Sequence, residues 1–483
     1  ANDYFKEGNL KYRMNEHEAA MLAYQDALRI YPEYAFVWTN LGSLFYDMGS
    51  MDAAIAAYSE SIKLMPTRAK THFQLGKALQ YIDALNDAIS CYLRAIQLNS
   101  RFVNAYYKLG TAYRDNGSIK SALESFQSVL HIDPLHVPSR LQYCHILHVK
   151  ENLKAAESCY NDVLSIEPNT ADALIYLGDL YRDQNNFDAA LKYYAFALDV
   201  DPRSVPARYM SSAITGGTVP RDLAIAYTQQ FYNTHAYHYE STVLHQQKYN
   251  LHKQLQQEVT NFMSLQDCLS SCGDSTGGCL LDNSMDTCID LHVVDLGCGT
   301  GLLCEAFRDD VSTNHATMIG VDLSSRMLNT AKQRSCYSEI YFSEASAFLK
   351  DIAGNAFDVA VGADIFSYTT DLQTVFEGVH SALKPDGVFI FSIYSVDSAA
   401  KLMPTPRVGF YNRSRYSSTR RDTEYIVLPT GIVAHSILYI SQLANSKLAP
   451  FVLEKLINAT WIQTKDKETP TGHVVVLRAV KDP

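Results

Sequence analysis

The sequence has no excess of basic residues and no long apolar run, and each absence excludes a class of protein. Its 41 lysines and arginines are outnumbered by 52 acidic residues, which gives a net charge of −11. Nucleic-acid-binding proteins are usually basic, so we expect no nucleic-acid partner. No apolar run approaches the roughly 18 residues that a membrane-spanning helix needs, so we expect no membrane span.

Cysteines are also few, ten in 483 residues, and they lack the dense spacing of a disulfide framework. No signal-peptide pattern opens the printed sequence. We therefore expect reduced thiols and a cytoplasmic protein. A Ser/Gly/Asp-rich stretch holds Cys268, Cys272, Cys279 and Cys288, but their spacing does not provide the two tight pairs of a zinc site. We expect no metal, and we interpret this stretch as a surface insertion.

A 34-residue period runs through the first part of the chain. One column of this grid holds prolines: Pro32, Pro66, Pro134, Pro168 and Pro202. Other columns hold glycine, alanine and an aromatic residue, as at Gly42, Ala54 and Tyr58, while Cys144 replaces the glycine in one repeat. Each repeat carries two apolar stripes at helical spacing, which one repeat cannot bury alone. The period therefore predicts a stack of helical pairs.

The columns resemble the tetratricopeptide (TPR) repeat, in the segment Trp38-x-x-Leu41-Gly42-x-x-Phe45 and in Ala54-x-x-x-Tyr58 followed by Pro66. The resemblance implies an all-α TPR superhelix of six repeats, with a capping helix near residues 205–215. It also implies a protein or peptide partner on the concave face of the superhelix. A pure spacer is the alternative that the pattern leaves open.

The period ends near Thr215, where Gly216, Gly217 and Pro220 follow. From residue 292 onwards, short apolar runs alternate with helical segments, which predicts a parallel sheet with helices on both faces. The last two strands have no helix between them and should pair antiparallel. We expect four parts: the TPR array (1–215), a linker with lid helices (216–265), the Cys/Ser/Gly-rich insertion (266–290) and an α/β core (291–483).

The segment Asp-Leu-Gly-Cys-Gly-Thr-Gly at Asp295–Gly301 follows the first of these strands and opens a helix. Its glycines allow a ligand to approach the backbone, and Asp322, at the end of the second strand, can bind both hydroxyls of a ribose. A nicotinamide dinucleotide fold would need a third glycine where Leu302 lies, and Asp295 would repel a pyrophosphate. The segment therefore favours S-adenosylmethionine, which has a ribose and an ammonium but no phosphate.

The same segment resembles motif I of the class I S-adenosylmethionine-dependent methyltransferases. Further motifs resemble theirs at Gly320–Ser324, Ser343–Ala345 and Gly362–Asp364, and Tyr232–Glu240 is similar to a lid helix of small-molecule methyltransferases. The resemblance implies a Rossmann-like seven-stranded sheet with an antiparallel last strand, and S-adenosyl-L-methionine as cofactor. The expected cofactor-binding residues are Asp295, Gly297, Gly299, Gly301, Asp322, Leu323, Glu344, Ala345, Asp364, Tyr232 and Tyr239.

The whole arrangement resembles the predicted TPR-repeat-containing methyltransferases, through Ala363–Tyr368 and Pro429–Ser436. Tyr368 and His435 are the acid–base or acceptor-orienting candidates, and each could instead simply pack in the core. An Arg- and Tyr-rich segment, 407–421, reads as an active-site flap rather than an RNA site. We expect a methyltransferase whose repeats bind a protein partner or substrate. The alternatives are an inactive methyltransferase-like scaffold, or a small-metabolite methyltransferase whose repeats serve oligomerisation.

Overall fold

The computed structural model describes residues 1–217, 219–236, 239–240, 250–271, 291–310, 316–367, 369–395, 425–427, 433–435, 437–446, 449–459 and 472–481. The chain divides into two compact units, Ala1–Leu180 and Tyr181–Pro483. The boundary between them falls inside a helix of the last repeat and not at residue 215. The four-part division by function therefore remains a prediction.

The first unit is built from consecutive helices, and its first ten helices pack as five successive pairs. Their bounds are α1 (Asn2–Arg13), α2 (His17–Ile30), α3 (Ala35–Asp47), α4 (Met51–Leu64), α5 (Ala69–Tyr81), α6 (Leu85–Leu98), α7 (Val103–Asp115), α8 (Ile119–Ile132), α9 (Val137–Val149), α10 (Leu153–Ile166) and α11 (Ala171–Asp183), the last of which crosses the boundary. The predicted TPR superhelix is confirmed.

The glycine column explains how closely the paired helices approach. A Cβ atom on Gly42 would lie 2.7 Å from the ring of Tyr58, and the same distance separates a Cβ on Gly76 from the ring of Tyr92. These rings are buried, as are the alanines one turn earlier. A helical glycine costs about 1 kcal/mol relative to alanine. The repeats tolerate that cost because any side chain would separate the two helices.

Two disulfides correct the expectation of reduced thiols. Cys144, the residue that replaces the glycine, is bonded to Cys159 of α10, and Cys304 is bonded to Cys336 in the second unit. The Cα atoms of the first pair are 5.5 Å apart because α9 and α10 lie against each other. Sequence spacing did not reveal these pairs, since their partners lie 15 and 32 residues apart and meet only through packing of the fold. Cys91 and Cys298 are free.

The second unit begins with helices and continues into an α/β fold. Its helices are α12 (Phe187–Val200), α13 (Val205–Thr215), α14 (Arg221–His235), α15 (Leu251–Ser271), α16 (Leu302–Asp309), α17 (Ser325–Gln333), α18 (Ala345–Asp351), α19 (Leu372–Ala382) and α20 (Ile437–Ala444). Its strands are β1 (His292–Leu296), β2 (Thr317–Asp322), β3 (Glu339–Phe342), β4 (Phe357–Gly362), β5 (Leu383–Ser395), β6 (Tyr425–Val427), β7 (Val433–His435), β8 (Phe451–Ala459) and β9 (Gly472–Ala479). Among the described helices, none is both long and apolar enough to cross a bilayer.

The described strands form one sheet whose core is parallel, in the order β3-β2-β1-β4-β5. Strand β9 pairs antiparallel with β5, and β8 pairs antiparallel with β9, as the sequence predicted for the last two strands. The seven strands expected from the resemblance are therefore present. The short pair β6 and β7 adds to them by extending the sheet at the end of β5.

Helices cover both faces of this sheet, as the near-continuous apolar strands require. Side chains of β1 alternate between the two cores: Val294 packs in a cluster with α18, α19 and α20, whereas Val293 packs in a cluster with α15 and α16. The central strands β1 and β4 are almost fully buried. The carboxyl ends of the parallel strands are thus held rigidly at one edge of the sheet, which is where loops of an α/β fold bind ligands.

We expect Gly42→Ala to destabilise the first unit by about 1–2 kcal/mol, because the clash with Tyr58 outweighs the gain in helix propensity. The melting temperature of the full chain, followed by calorimetry, measures this change. Combined with Tyr58→Leu, which removes the ring, Gly42→Ala should cost much less than it does alone. An equal cost in both backgrounds would contradict the packing explanation.

Candidate active site

A cleft opens at the carboxyl ends of β1, β2, β3 and β4, and α14 contributes one of its walls. The chain runs from β1 outward to β2 and β3, then crosses back to place β4 on the other side of β1. Loops on either side of β1 therefore separate and leave a crevice. The cleft lining includes these expected residues: Gly297, Gly299, Asp322, Leu323, Glu344, Ala345, Asp364, Tyr232 and Tyr239.

The glycine turn after β1 owes its shape to left-handed backbone. The φ angles of Gly297, Gly299 and Gly301 are 72°, 54° and 85°, a region that side chains disfavour. The N–H groups of Gly297 and Cys298 both donate to the carbonyl of Val321, at 2.8 and 3.0 Å. A Cβ on Gly299 would meet nothing within 4 Å, so the backbone there borders open space. Gly301 shapes the turn but does not line the cleft.

Asp322 ends β2 and fixes the turn from the neighbouring strand. One carboxylate oxygen accepts the N–H of Gly299 at 2.9 Å, and the other accepts the N–H of Ser324 at 2.7 Å. Burial raises the pKa of Asp322, while these backbone donors oppose that rise. The carboxylate is thus held at the cleft wall by donors that carry no net charge.

Asp364 follows β4 and faces the same space. Its backbone is left-handed, with φ 59°, and its N–H donates to the Ser392 hydroxyl at 2.8 Å. The Ser367 hydroxyl donates to its carboxylate. Burial raises the pKa of Asp364 to about 6, against the opposing effect of Ser367. Asp364 is therefore mostly ionised at neutral pH and becomes protonated in mild acid.

Glu344 and Ala345 lie where β3 passes into α18. The Glu344 carboxylate caps that helix by accepting the N–H of Ala347 at 3.0 Å, and it also accepts from the Ser346 hydroxyl. Arg221, at the start of α14, donates to Glu344 at 3.2 Å and to Asp371 at 3.1 Å. Arg221 is a site residue that the sequence did not indicate, because its partners lie more than 120 residues away.

Asp295 is placed differently from the expectation that it faces an ammonium. Its side chain is fully buried beneath the turn and does not line the cleft. The Tyr337 hydroxyl donates to one carboxylate oxygen at 2.6 Å, while burial raises the pKa of Asp295 to about 7. Tyr337 thus supports the turn from below, and no motif pointed to it. Its position just before β3 is its only distinguishing feature in the sequence.

The expected lid segment closes over part of this space. Tyr232 and Tyr239 line the cleft, with ring centroids 6.0 Å apart. The pKa of Tyr239 is raised by burial and by the nearby carboxylates of Asp364 and Asp322. Asn233, which departs from the aspartate of the resembling motif, accepts from the Ser324 hydroxyl at 2.8 Å. The lid is therefore tied to the loop that carries Asp322.

The cleft is acidic. Four carboxylates belong to its lining, those of Asp322, Glu344, Asp364 and Asp371, and the only cationic side chain among the described lining residues is Arg221. That guanidinium already pairs with Glu344 and Asp371. Asp322 and Asp364 thus face the cleft without a cation, which suits a positively charged ligand and disfavours a phosphate.

Comparison with known families accounts for both units. A model described as a methyltransferase domain matches residues 289–436. Models described as TPR or tetratricopeptide repeats match residues 42–81 and 84–117, 103–134, and 150–210. This chain joins TPR repeats to a methyltransferase domain. Each match covers less than half of the chain, so it identifies a part of the chain and not the whole.

Curated relatives match about a fifth of the chain. Ubiquinone biosynthesis O-methyltransferases of Brucella ovis and Brucella abortus are 31% identical over 101 residues, which is 20% of this chain and 39% of theirs. The biotin biosynthesis bifunctional protein BioHC of Saccharophagus degradans is 32% identical over 102 residues, 21% of this chain and 18% of its own. The chain thus spans well under half of the length of these relatives.

Solved structures resemble part of this chain. YrrB, a TPR protein with an unusual peptide-binding site, is 22% identical, with a TM-score of 0.34 over 39% of this chain and 96% of its own. The pilF protein of Pseudomonas aeruginosa is 18% identical, with a TM-score of 0.39 over 44% of this chain and 96% of its own. These scores are too low to support an argument about function.

The two acid–base candidates of the methyltransferase domain have different outcomes. Tyr368 lies outside the described residues. His435, on β7, is fully buried and does not line the cleft, and its Nε2 lies 3.0 Å from the carbonyl oxygen of Phe366. Burial lowers the pKa of His435 to about 4, so the imidazole is neutral at neutral pH. It supports the 3₁₀ turn Ile365–Ser367 beside Asp364, and its acid–base role stays a prediction.

The buried, neutral His435 should make a contribution to the free energy of unfolding that depends on pH. Since the folded pKa, about 4, lies below the ordinary 6.5, the unfolded chain binds a proton that the folded chain rejects. The contribution of His435 to the free energy of unfolding should therefore fall by up to about 3 kcal/mol between pH 6.5 and 4. Asp295 and Asp364, whose pKa values are raised in the folded protein, contribute in the opposite direction, so the effect is read as a difference from a variant. His435→Gln, which keeps a donor for Phe366, should lose less over this range. Identical pH profiles of unfolding for the two proteins would contradict this assignment.

Proposed function

We propose that the protein is an S-adenosylmethionine-dependent methyltransferase whose TPR array binds a protein partner or substrate. The acidic cleft is the observation that supports this cofactor. Asp322 and Asp364 flank a left-handed glycine turn, and no cation pairs with them in the part of the chain that the structure describes. A dinucleotide would bring its pyrophosphate to the same turn, where these carboxylates would repel it. A nucleoside with an ammonium and a sulfonium complements them.

The residues present fit this cofactor. The open space beside Gly299 leaves room for a ligand against the backbone, and any side chain there would fill it. Asp322 would bind the ribose hydroxyls, with Leu323 beside it. Ala345 and Glu344 would face the adenine, and Asp364 the amino group. The sequence suggested Asp295 as the residue that binds the cofactor's amino group, but Asp295 is buried beneath the turn. We assign that role to Asp364, which lines the cleft.

S-adenosylmethionine supplies an electrophilic methyl group on a sulfonium, which becomes a neutral thioether when that group is transferred. Such a displacement needs alignment and exclusion of water more than it needs a catalytic acid. Tyr232, Tyr239 and the side of α14 that lines the cleft would supply both. A base is required only where the acceptor must lose a proton. Tyr368 remains a candidate for that role, and His435 would act by positioning Asp364's loop.

The relatives indicate neither the methyl acceptor of this protein nor the role of its repeats. The names of those relatives refer to ubiquinone and biotin biosynthesis, yet the relatives match only about a fifth of this chain. The array, proposed as residues 1–215, adds a large surface that such a reaction does not need. We therefore favour a protein acceptor or partner over a small metabolite with repeats for oligomerisation. The intact turn and Asp322 argue against an inactive scaffold.

We expect the full chain to bind S-adenosylmethionine in isothermal titration calorimetry. Asp322→Ala should weaken this binding at least tenfold, because it removes the ribose partner and frees the N–H of Gly299. Asp386→Asn is the matched control, since that carboxylate is exposed, pairs with Arg478 and lies outside the cleft lining. No heat of binding by the wild-type protein, or equal affinities for both variants, would contradict the proposal.

Transfer of a tritiated methyl group decides the acceptor class. Incubated with labelled S-adenosylmethionine and a fractionated lysate, the protein should label the protein fraction rather than the small-molecule fraction. Asp322→Ala should abolish the labelling, which excludes a contaminating enzyme. Label that appears only in the small-molecule fraction would replace the protein acceptor with a metabolite while leaving the cofactor assignment in place.

A further inference from the structure

The first unit holds two lysines that face each other across neighbouring repeats. Gln80 of α5 donates to the Thr111 hydroxyl and to Asp115 of α7, both at 3.2 Å, which fixes the register between these helices. Lys77 lies three residues before Gln80, and Lys108 lies three residues before Thr111. One helical turn separates residues three to four apart, so the two lysines lie side by side on the same face. The charge of Lys77 accordingly lowers the pKa of Lys108, after the larger effect of burial.

Among the described residues, no Asp or Glu lies within ion-pair distance of either lysine. Other cations of the first unit do have a carboxylate partner, namely Lys11, Arg29, Lys63 and Arg114. The acid on the same face, Asp115, is already bound by Arg114 at 2.7 Å and by Gln80. The ammonium groups instead approach rings: Lys77 lies 4.5 Å from the Tyr46 centroid, and Lys108 lies 5.9 Å from that of Tyr107.

A third cation lies along the same helices. Arg68 precedes α5, its guanidinium lies 4.4 Å from the Phe36 centroid, and it donates to the Thr39 hydroxyl at 3.1 Å. It too lacks a carboxylate partner among the described residues. Its contacts Thr39 and Phe36 lie seven and ten residues before Tyr46, the ring that Lys77 approaches, which is a rise of about 10–15 Å along α3. An extended peptide covers that distance in about four residues.

We propose that the face formed by α3, α5 and α7 binds an extended acidic peptide, with one carboxylate between Lys77 and Lys108 and a second near Arg68. Half-buried cations without counter-ions are costly to maintain, and carboxylates would offset that cost. The adjacent rings of Tyr46 and Phe36 provide apolar contact for the peptide between its charges. The proposal rests on the partner-binding role of the repeats and names the chemistry of that partner.

A nucleic acid is the competing anionic ligand, and the charges disfavour it. A phosphate backbone carries a charge at every residue and needs a continuous basic track. Here the cations are isolated on a chain with a net charge of −11. Discrete carboxylates about four residues apart match the spacing of the cations, whereas a dense row of phosphates does not.

Fluorescence polarisation tests the proposal with the full chain and a labelled twelve-residue peptide of three Gly-Glu-Ser-Ala units. The wild-type protein should bind it with an affinity that falls as salt increases. Lys77→Gln with Lys108→Gln should weaken binding at least tenfold. Lys120→Gln with Lys154→Gln, at exposed lysines of α8 and α10, should change it less than twofold. A probe with Gln in place of Glu should not bind.

Charge reversal separates a binding role from a structural one. Lys77→Glu with Lys108→Glu should lose the glutamate peptide and gain binding to its lysine counterpart, which a merely unfolded variant cannot do. Equal binding by wild type and the double glutamine variant, no binding of the peptide by wild type, or tighter binding of a twelve-nucleotide single-stranded DNA would each overturn the proposal. The affinity of the same variants for S-adenosylmethionine should stay unchanged. A failure of the peptide proposal can therefore be told apart from a failure of the cofactor assignment.

Discussion

The cleft depends on one carboxylate that joins two loops. Asp322 accepts the N–H of Gly299 from the turn after β1 and the N–H of Ser324 at the start of α17. These loops follow adjacent parallel strands, whose register pairs Leu296 with Val321. A buried carboxylate is costly unless it is hydrogen-bonded, and the two N–H donors offset that cost. The same side chain consequently fixes part of the turn and supplies one of the carboxylates that make the cleft acidic.

Glycine is also essential in the repeats, but there its missing side chain is replaced by a neighbouring ring and leaves no open space. In the array, the missing side chain lets an aromatic ring fill the space, as Tyr58 does against Gly42. In the turn, the missing side chain of Gly299 leaves space open beside the backbone. The fifth repeat shows what happens when the glycine is absent, since Cys144 lies there and is bonded to Cys159. Close helix packing at that position is maintained by a covalent bond.

The sequence predicted the elements well because periods and strand–helix alternation are local properties. The antiparallel pairing of β8 with β9 and the gathering of Asp322, Glu344 and Asp364 at one edge of the sheet followed from them. What the sequence could not predict are partners brought together by the fold. Tyr337 lies 42 residues from Asp295, and Arg221 lies 123 residues from Glu344. Those contacts arise from packing between elements, and no spacing rule relates their positions.

Unpaired charge links the two proposed binding sites. Within the described residues, the cleft presents Asp322 and Asp364 without a paired cation, and the array presents Lys77 and Lys108 without a paired carboxylate. Removing such groups from water disfavours their charged forms, so each set costs the folded protein stability. A ligand of opposite charge removes that cost when it binds, and therefore gains affinity that a neutral ligand would not. The two sites consequently select ligands of opposite sign, so a cationic cofactor and an acidic partner can bind one chain without competing.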